Sequence, residues 1–212
     1  MNEPHPVVYL IDDDASFLRA VARLLSASGF TVSTHPSASS FLEQWDRELP
    51  GCVVCDLQMP GVDGLALQRA LARSSNPLPM LFLTGQGDIV STVRAMREGA
   101  EDFLEKRAPQ ELLLDAVRRA LARNAVERSA RNRQAALEAS FKALTVRERE
   151  VLEHVVQGRL NKQIAADLGI HERTVKLHRM AMMSKLGVRS VAELTRLAQE
   201  AGVLAPLQST PP

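Results

Sequence analysis

Over the first 120 residues, short apolar runs alternate with amphipathic stretches. The runs at 7–11, 30–35, 52–56, 80–84 and 102–105 have the length and apolar content of strands. The stretches at 15–28, 37–48, 64–74 and 88–98 repeat apolar residues at helical spacing, and a further helix begins at Pro109. Strand and helix alternating five times predict an α/β domain, a doubly wound five-stranded parallel sheet with helices on both faces. Reactive groups in such a sheet belong at the carboxyl ends of its strands.

The helical pattern from Pro109 runs to about Leu137 without Gly or Pro. Leu114, Val117 and Leu121 form a stripe that can pack on the sheet. Asn124, Arg128 and Arg131 continue it, which predicts a solvated connecting helix. Four shorter helices follow with no strand pattern between them. Thr145-Val146-Arg147-Glu148 is a capping box that opens the first, and Gly158 closes it. Residues 161–168 form the second, Gly169-Ile170 a tight turn, and 172–185 the third; Ser190-Val191-Ala192-Glu193 caps a fourth that ends near Ala201. The expected organisation is an α/β domain at 1–122, a linker helix at 123–141, an all-α four-helix domain at 142–205 and a flexible tail at 206–212.

Of the 212 residues, 45% are hydrophobic and 24% charged, which excludes disordered and collagen-like chains. Aromatics are only 4%, so the cores must be aliphatic. No apolar stretch approaches the roughly 20 residues needed to span a bilayer. Residues 1–6 lack the basic and apolar regions of a signal peptide, so a cytoplasmic protein without membrane contact is expected. Residues 1–120 carry 11 Lys/Arg against 16 Asp/Glu, a net of −5, whereas 141–212 carry 11 against 7, a net of +4. Only the back half is suited to a polyanion. Cys52 and Cys55 form a C-x-x-C pair, but on a strand residues three apart face opposite ways. Two packed thiols fit better than a disulfide or a metal site.

Asp12-Asp13-Asp14 follows the first strand, Asp56 ends the third, Thr84 ends the fourth and Lys106 follows the fifth. The predicted sheet gathers these groups at one edge. Close carboxylates repel, and a divalent cation relieves the repulsion; oxygen ligands with room for water suit Mg²⁺. A carboxylate left facing the metal can attack phosphorus and form an acyl phosphate, while the Thr84 hydroxyl and Lys106 ammonium hold phosphoryl oxygens. Asp14 by itself fits the N-cap of the first helix.

At these residues the chain resembles a known family. Ile11-Asp12-Asp13, Cys55-Asp56-Leu57-Gln58-Met59-Pro60-Gly61-Val62-Asp63-Gly64, Leu83-Thr84-Gly85 and Phe103-Leu104-Glu105-Lys106 are similar to the receiver domain of two-component response regulators, over residues 7 to about 122. The resemblance implies the flavodoxin-like receiver fold and phosphorylation of Asp56 by a sensor histidine kinase. It further implies Mg²⁺ held by Asp12, Asp13, Asp56 and the backbone carbonyl of Gln58. Thr84 and Lys106 would contact the phosphoryl group, and Phe103 would be the aromatic that reorients on activation. The family usually carries Pro after this Lys, through a cis bond, whereas Arg107 stands here. A non-Pro cis bond costs about 2.5–4 kcal/mol, so the bond is either trans with Lys106 placed differently or strained. Asp12-x-Asp14-x-Ser16 with Thr84 and Lys106 also resembles haloacid-dehalogenase-type phosphohydrolases, whose first Asp is nucleophile and second acid/base. Those enzymes need another acidic pair after the fourth strand, where this chain has Gly85-Gln86-Gly87 and a lone Asp88, and they leave the Asp56 segment unexplained.

In the back half, a short helix, a Gly turn and a longer basic helix make a helix-turn-helix pattern. Val175, Met182, Met183 and Leu186 fall on a core face of the longer helix, with Thr174, Lys176, Leu177, His178, Met180 and Lys185 near the surface. Leu144-Thr145-Val146-Arg147-Glu148-Arg149-Glu150-Val151-Leu152, Asn161-Lys162-Gln163-Ile164-Ala165, Thr174-Val175-Lys176-Leu177-His178 and Lys185-Leu186-Gly187-Val188 resemble the LuxR-type DNA-binding domain. By that resemblance Lys176, Leu177 and Met180 would face base edges, and Asn161, Lys162, Thr174, His178 and Lys185 would lie along the DNA backbone. His171 replaces the Ser or Thr that often caps the recognition helix, a local weakening of about 0.5–2 kcal/mol. Together the halves are similar to response regulators of the FixJ-like branch, to which Thr84-Gly85-Gln86-Gly87-Asp88 points. This implies a DNA-binding transcriptional regulator rather than an enzyme. Phosphorylation would promote homodimerisation through the face at 88–105 and binding to double-stranded promoter DNA, with RNA polymerase as a further partner.

Overall fold

The computed structural model describes residues 5–85 and 89–203. Five strands, β1 (Val7–Ile11), β2 (Thr31–His35), β3 (Gly51–Asp56), β4 (Met80–Thr84) and β5 (Asp102–Glu105), form one parallel sheet in the order β2-β1-β3-β4-β5. Alternation along the strands divides the core in two. Tyr9, Ile11, Val53, Cys55, Met80 and Phe82 turn to α2 (Ala38–Gln44), α3 (Gly64–Ala72) and α4 (Ile89–Arg97). Val8, Leu10, Cys52, Val54, Leu81 and Leu83 turn to α1 (Ala15–Ala27) and the start of α5 (Gln110–Lys142). This is the doubly wound arrangement that the pattern predicts, and the scarce aromatics leave it mostly aliphatic. Cys52 and Cys55 lie in opposite cores as free thiols, and burial pushes both well above their usual acidity range. They are packing groups.

Two elements differ from the sequence pattern by more than two residues at an end. The helix expected at 37–48 ends at Gln44, because Trp45 leaves the helical conformation (ψ 115°) and stacks on Phe41 at 5.6 Å. The helix from Pro109 runs on to Lys142, 33 residues in all. Asn124, expected in a solvated stretch, is 1% exposed, and its Oδ1 accepts a hydrogen bond from the Gly51 amide at 3.0 Å. The polar residue stays inside because it pins the first residue of β3.

The chain divides into two compact units, residues 1–129 and 130–212. In the second, the end of α5 is structural rather than solvated: Leu137 and Phe141 pack with Leu144, Val151, Leu152 and Ile164. Its other helices are α6 (Val146–Val156), α7 (Asn161–Leu168), α8 (Glu172–Leu186) and α9 (Val191–Glu200). Gly169, at φ +64°, makes the left-handed turn from α7 towards α8. Glu148 does more than close the predicted capping box. Its buried carboxylate accepts from the Thr145 amide at 2.8 Å and from Lys185 Nζ at 2.7 Å, tying the start of α6 to the end of α8. Among the described residues no helix is long and apolar enough to cross a membrane.

Two stability effects follow. Asn124→Ala leaves the Gly51 amide without its acceptor and is expected to cost about 1–3 kcal/mol, read by urea unfolding through Trp45, the single tryptophan. For Glu148, the bond from Lys185 and then that from the Thr145 amide hold the carboxyl below its usual 4.5. Such a group stabilises the fold above its unfolded pKa, and the stabilisation is lost as pH falls through the lower folded value. Amides of α6 and α8 in Glu148→Gln are therefore expected to exchange faster than wild type at pH 7. The difference should close as pH is taken below about 4.5; a difference independent of pH would remove the charge from the account.

Candidate functional site

Strand register assembles the acidic edge. Ile11 pairs with Cys55, Asp56 with Leu83, and Thr84 with Glu105. Asp12, Asp56, Thr84 and Lys106 are thereby brought to the carboxyl ends of adjacent strands. Asp12 is 1% and Asp56 8% exposed, Thr84 is buried, and Asp13 faces water. One oxygen from each of Asp12, Asp13 and Asp56 lies within 4.8 Å of the others, an all-carboxylate donor set suited to a hard divalent cation.

Lys106 is the cation that the folded chain supplies to this edge. Its Nζ lies 2.6 Å from Asp12 Oδ2 and donates to Asp56 Oδ2 at 2.9 Å. The remaining oxygens are held by backbone: the Asp14 amide donates to Asp12 Oδ1 at 2.9 Å, and the Gln58 amide to Asp56 Oδ1 at 3.4 Å. Burial pushes the Asp12 carboxyl up against the opposing pull of Lys106. Burial draws the Lys106 ammonium down, but its bonds to Asp12 and Asp56 outweigh this and leave it raised, hence charged. The described residues contain no cis peptide bond, so Lys106–Arg107 is trans. The lysine still reaches both carboxylates, because its amide donates to Thr84 O at 2.8 Å and the Ala108 amide to Glu105 O at 2.9 Å. That turn leaves Arg107 exposed.

The segment after Asp56 explains why its glycines stand where they do. Gly61 takes φ +81°, and a Cβ on Gly64 would lie 2.6 Å from the Asp56 carbonyl oxygen. Asp63 caps α3 by accepting from the Ala66 amide at 2.6 Å. Asp14 caps α1, accepting from the Ser16 and Phe17 amides, and those bonds hold its carboxyl below the usual range. Gln58 is exposed, and Phe103 is half-buried on edge strand β5 with its ring 6.0 Å from that of Phe82. Gln86, Gly87 and Asp88 lie outside the described residues, as do 1–4 and the tail from 204.

In the second unit, Val175, Met182 and Leu186 bury one face of α8, and Met183 packs beside them. Lys176, Leu177 and Met180 are exposed, with Thr174 and His178 half-buried. Lys162 is exposed at the start of α7, where free amides favour an anion. His171 gives α8 no side-chain cap, as its residue type predicts. Three predicted residues have partners within the domain: Asn161 Oδ1 accepts from Arg179 at 2.7 Å, Lys185 is committed to Glu148, and Lys176 Nζ lies 3.4 Å from Glu172.

The sequence pattern missed Arg179 and Phe17, whose ring centroid is 4.6 Å from Lys106 Nζ. Neither belongs to a motif. Only the helical spacing that puts Phe17 one turn after Asp13 hints at the second contact.

Comparison with known proteins covers both units. The family described as response regulator receiver domain matches residues 8–118, and that described as bacterial regulatory proteins, luxR family, matches 142–198. The response regulator protein TmoT of Ectopseudomonas mendocina is 39% identical over 199 residues, 94% of this chain and 90% of that protein. The transcriptional regulatory protein FixJ of Azorhizobium caulinodans is 39% identical over 211 residues, the full length of both. Among solved structures, the response regulator StyR is 46% identical, with a TM-score of 0.86 over 92% of this chain and 99% of that one. Full-length FixJ from B. japonicum is 35% identical, with a TM-score of 0.55 over 95% and 100%. The chain belongs to the FixJ-like response regulators, transcription regulators that join a phosphoacceptor receiver domain to a LuxR-family DNA-binding domain.

Proposed function

We infer that a sensor histidine kinase phosphorylates Asp56 and that the phosphoryl group controls binding of the second unit to promoter DNA. The observation that carries this reading is Asp56 itself, 8% exposed, held by Lys106 at 2.9 Å and flanked by two further carboxylates. In the transfer, an Asp56 carboxylate oxygen forms a bond to phosphorus. The bond from phosphorus to the donor imidazole nitrogen breaks, and its electron pair stays on that nitrogen. Lys106 and the Thr84 hydroxyl then hold phosphoryl oxygens. The carboxylates of Asp12, Asp13 and Asp56, with the Gln58 carbonyl, would hold Mg²⁺, which supplies charge neutralisation for the incoming phosphoryl group. Phe103 is the aromatic assigned to the conformational response. A phosphohydrolase of the rival type would need Asp14 as acid/base, but its carboxyl is exposed, held below the usual range and bonded to the α1 amides.

On the DNA side, Lys176, Leu177 and Met180 face the major groove, and Asn161, Lys162, Thr174 and His178 follow the backbone. Lys185 reaches phosphate only by sharing its ammonium with Glu148. A unit with a net charge of +4 over 141–212 neutralises few phosphates, so pairing two units strengthens the complex greatly. The surface suited to pairing is α4, where Ile89 and Val90 are 82% and 78% exposed and Val93 and Met96 are also exposed. It adjoins edge strand β5. RNA polymerase as a partner and a cytoplasmic setting belong to the same reading.

Intact mass of the purified chain with Mg²⁺ and a small-molecule phosphoryl donor is expected to show one phosphoryl adduct, absent in Asp56→Asn. An adduct of equal size in that variant would move the phosphoacceptor elsewhere. Replacing Ile89 and Val90 together by Glu is expected to leave the adduct intact and weaken phosphorylation-dependent dimerisation about tenfold or more, given roughly 1.5–3 kcal/mol per buried aliphatic side chain. Light scattering reads this; an undiminished dimer would assign pairing to another face.

A further inference from the structure

We propose that Leu177 and Met180 form an apolar strip on α8 that selects DNA by the 5-methyl groups of thymine, so that half-sites with thymine beneath this strip are the preferred ligand. The proposal deepens, and rests on, the reading of the second unit as DNA-binding. Leu177 is 58% and Met180 69% exposed, and three residues apart they are neighbours on one helix face. They are not spill-over from the core, since Val175, Met182 and Leu186 are buried on α8 and satisfy its packing. Lys176 and His178 flank the pair, giving the strip cationic or hydrogen-bonding edges suited to phosphate and base.

Neither strip residue can read a hydrogen-bond pattern. Leucine has no polar atom, and the methionine thioether is a weak acceptor. Lys176, the cation beside them, lies 3.4 Å from Glu172 one turn earlier, which divides its charge between α8 and any ligand. In the major groove the one apolar group on a base edge is the thymine 5-methyl. An exposed Leu–Met pair gains by covering that group and gains nothing from the polar edge of a G·C pair.

The test selects duplexes from a random library with the full chain, Mg²⁺ and a small-molecule phosphoryl donor. Each thymine of the selected sequence is then replaced in turn by deoxyuridine, which removes only the methyl. At one or two thymines per half-site, binding is expected to weaken about fourfold per methyl removed. The Leu177→Ala/Met180→Ala variant is expected to lose that dependence, binding the thymine and deoxyuridine duplexes equally. Alanine suits an exposed helical position, so the variant retains its fold, and Met180→Leu is expected to keep the dependence. A selected sequence indifferent to every replacement, or a dependence that survives in the double variant, overturns the thymine assignment and leaves DNA binding standing. Failure to select any sequence overturns the DNA-binding reading itself.

Discussion

Lys106 holds two nearly buried carboxylates, Asp12 at 2.6 Å and Asp56 at 2.9 Å, and the acidic edge of the first unit is organised around that contact. A parallel sheet brings its strand ends together whatever residues they carry. When those residues are acidic, the fold must supply a counter-charge at the same edge or leave the carboxylates protonated. Here the fifth strand delivers it, through a turn closed by the Lys106 and Ala108 amides. One ammonium shared by two carboxylates leaves the third, Asp13, to water, and leaves a negative excess. That excess suits the edge to a divalent cation, and of the two carboxylates on Lys106, Asp56 is the more exposed, at 8% against 1% for Asp12.

The second unit rests on the same device at smaller scale. Glu148 is buried with one oxygen, Oε2, accepting from both the Thr145 amide and Lys185. Lys185 is 40% exposed and Glu148 only 6%, so truncating the lysine strands a buried carboxylate, and this contact fixes the start of α6 against the end of α8 more firmly than a fully exposed pair would. The direction of α8 matters because the face opposite its core residues is the one proposed to meet DNA. A lysine that serves this internal purpose is a poorer phosphate ligand than its place in the motif implies.

Most of the fold is legible because its signals are local. All five strands and their order of alternation with helices follow from period and punctuation, and the elements at 7–11, 80–84, 102–105 and 161–168 match the structure residue for residue. The acidic edge was readable for the same reason: each of its residues ends or follows a strand. What the pattern could not give is long-range pairing. Asn124 looks like a solvent residue on a helix, and only its partner 73 positions earlier, the Gly51 amide, explains its burial. Trp45 ends α2 early through a stacking contact that no period encodes. Arg107 raised a question about Lys106 that composition could not answer, because a trans bond and a short turn serve the lysine equally well.

The exposed apolar surfaces on α4 and α8 belong to different units, and in the proposed function they would answer one energetic problem. A module with a net charge of +4 gains little from phosphates, and a strip of two apolar side chains discriminates between bases only modestly. Neither gives a tight complex alone. If two copies pair through α4, the second module binds as an intramolecular event, and its weak preference multiplies the first. A coupling of about 1–3 kcal/mol between phosphorylation and pairing then changes occupancy about 5- to 150-fold. Weak individual contacts are therefore a requirement of the proposed switch: a module that bound its site firmly as a monomer would leave a phosphoryl group on Asp56 nothing to control.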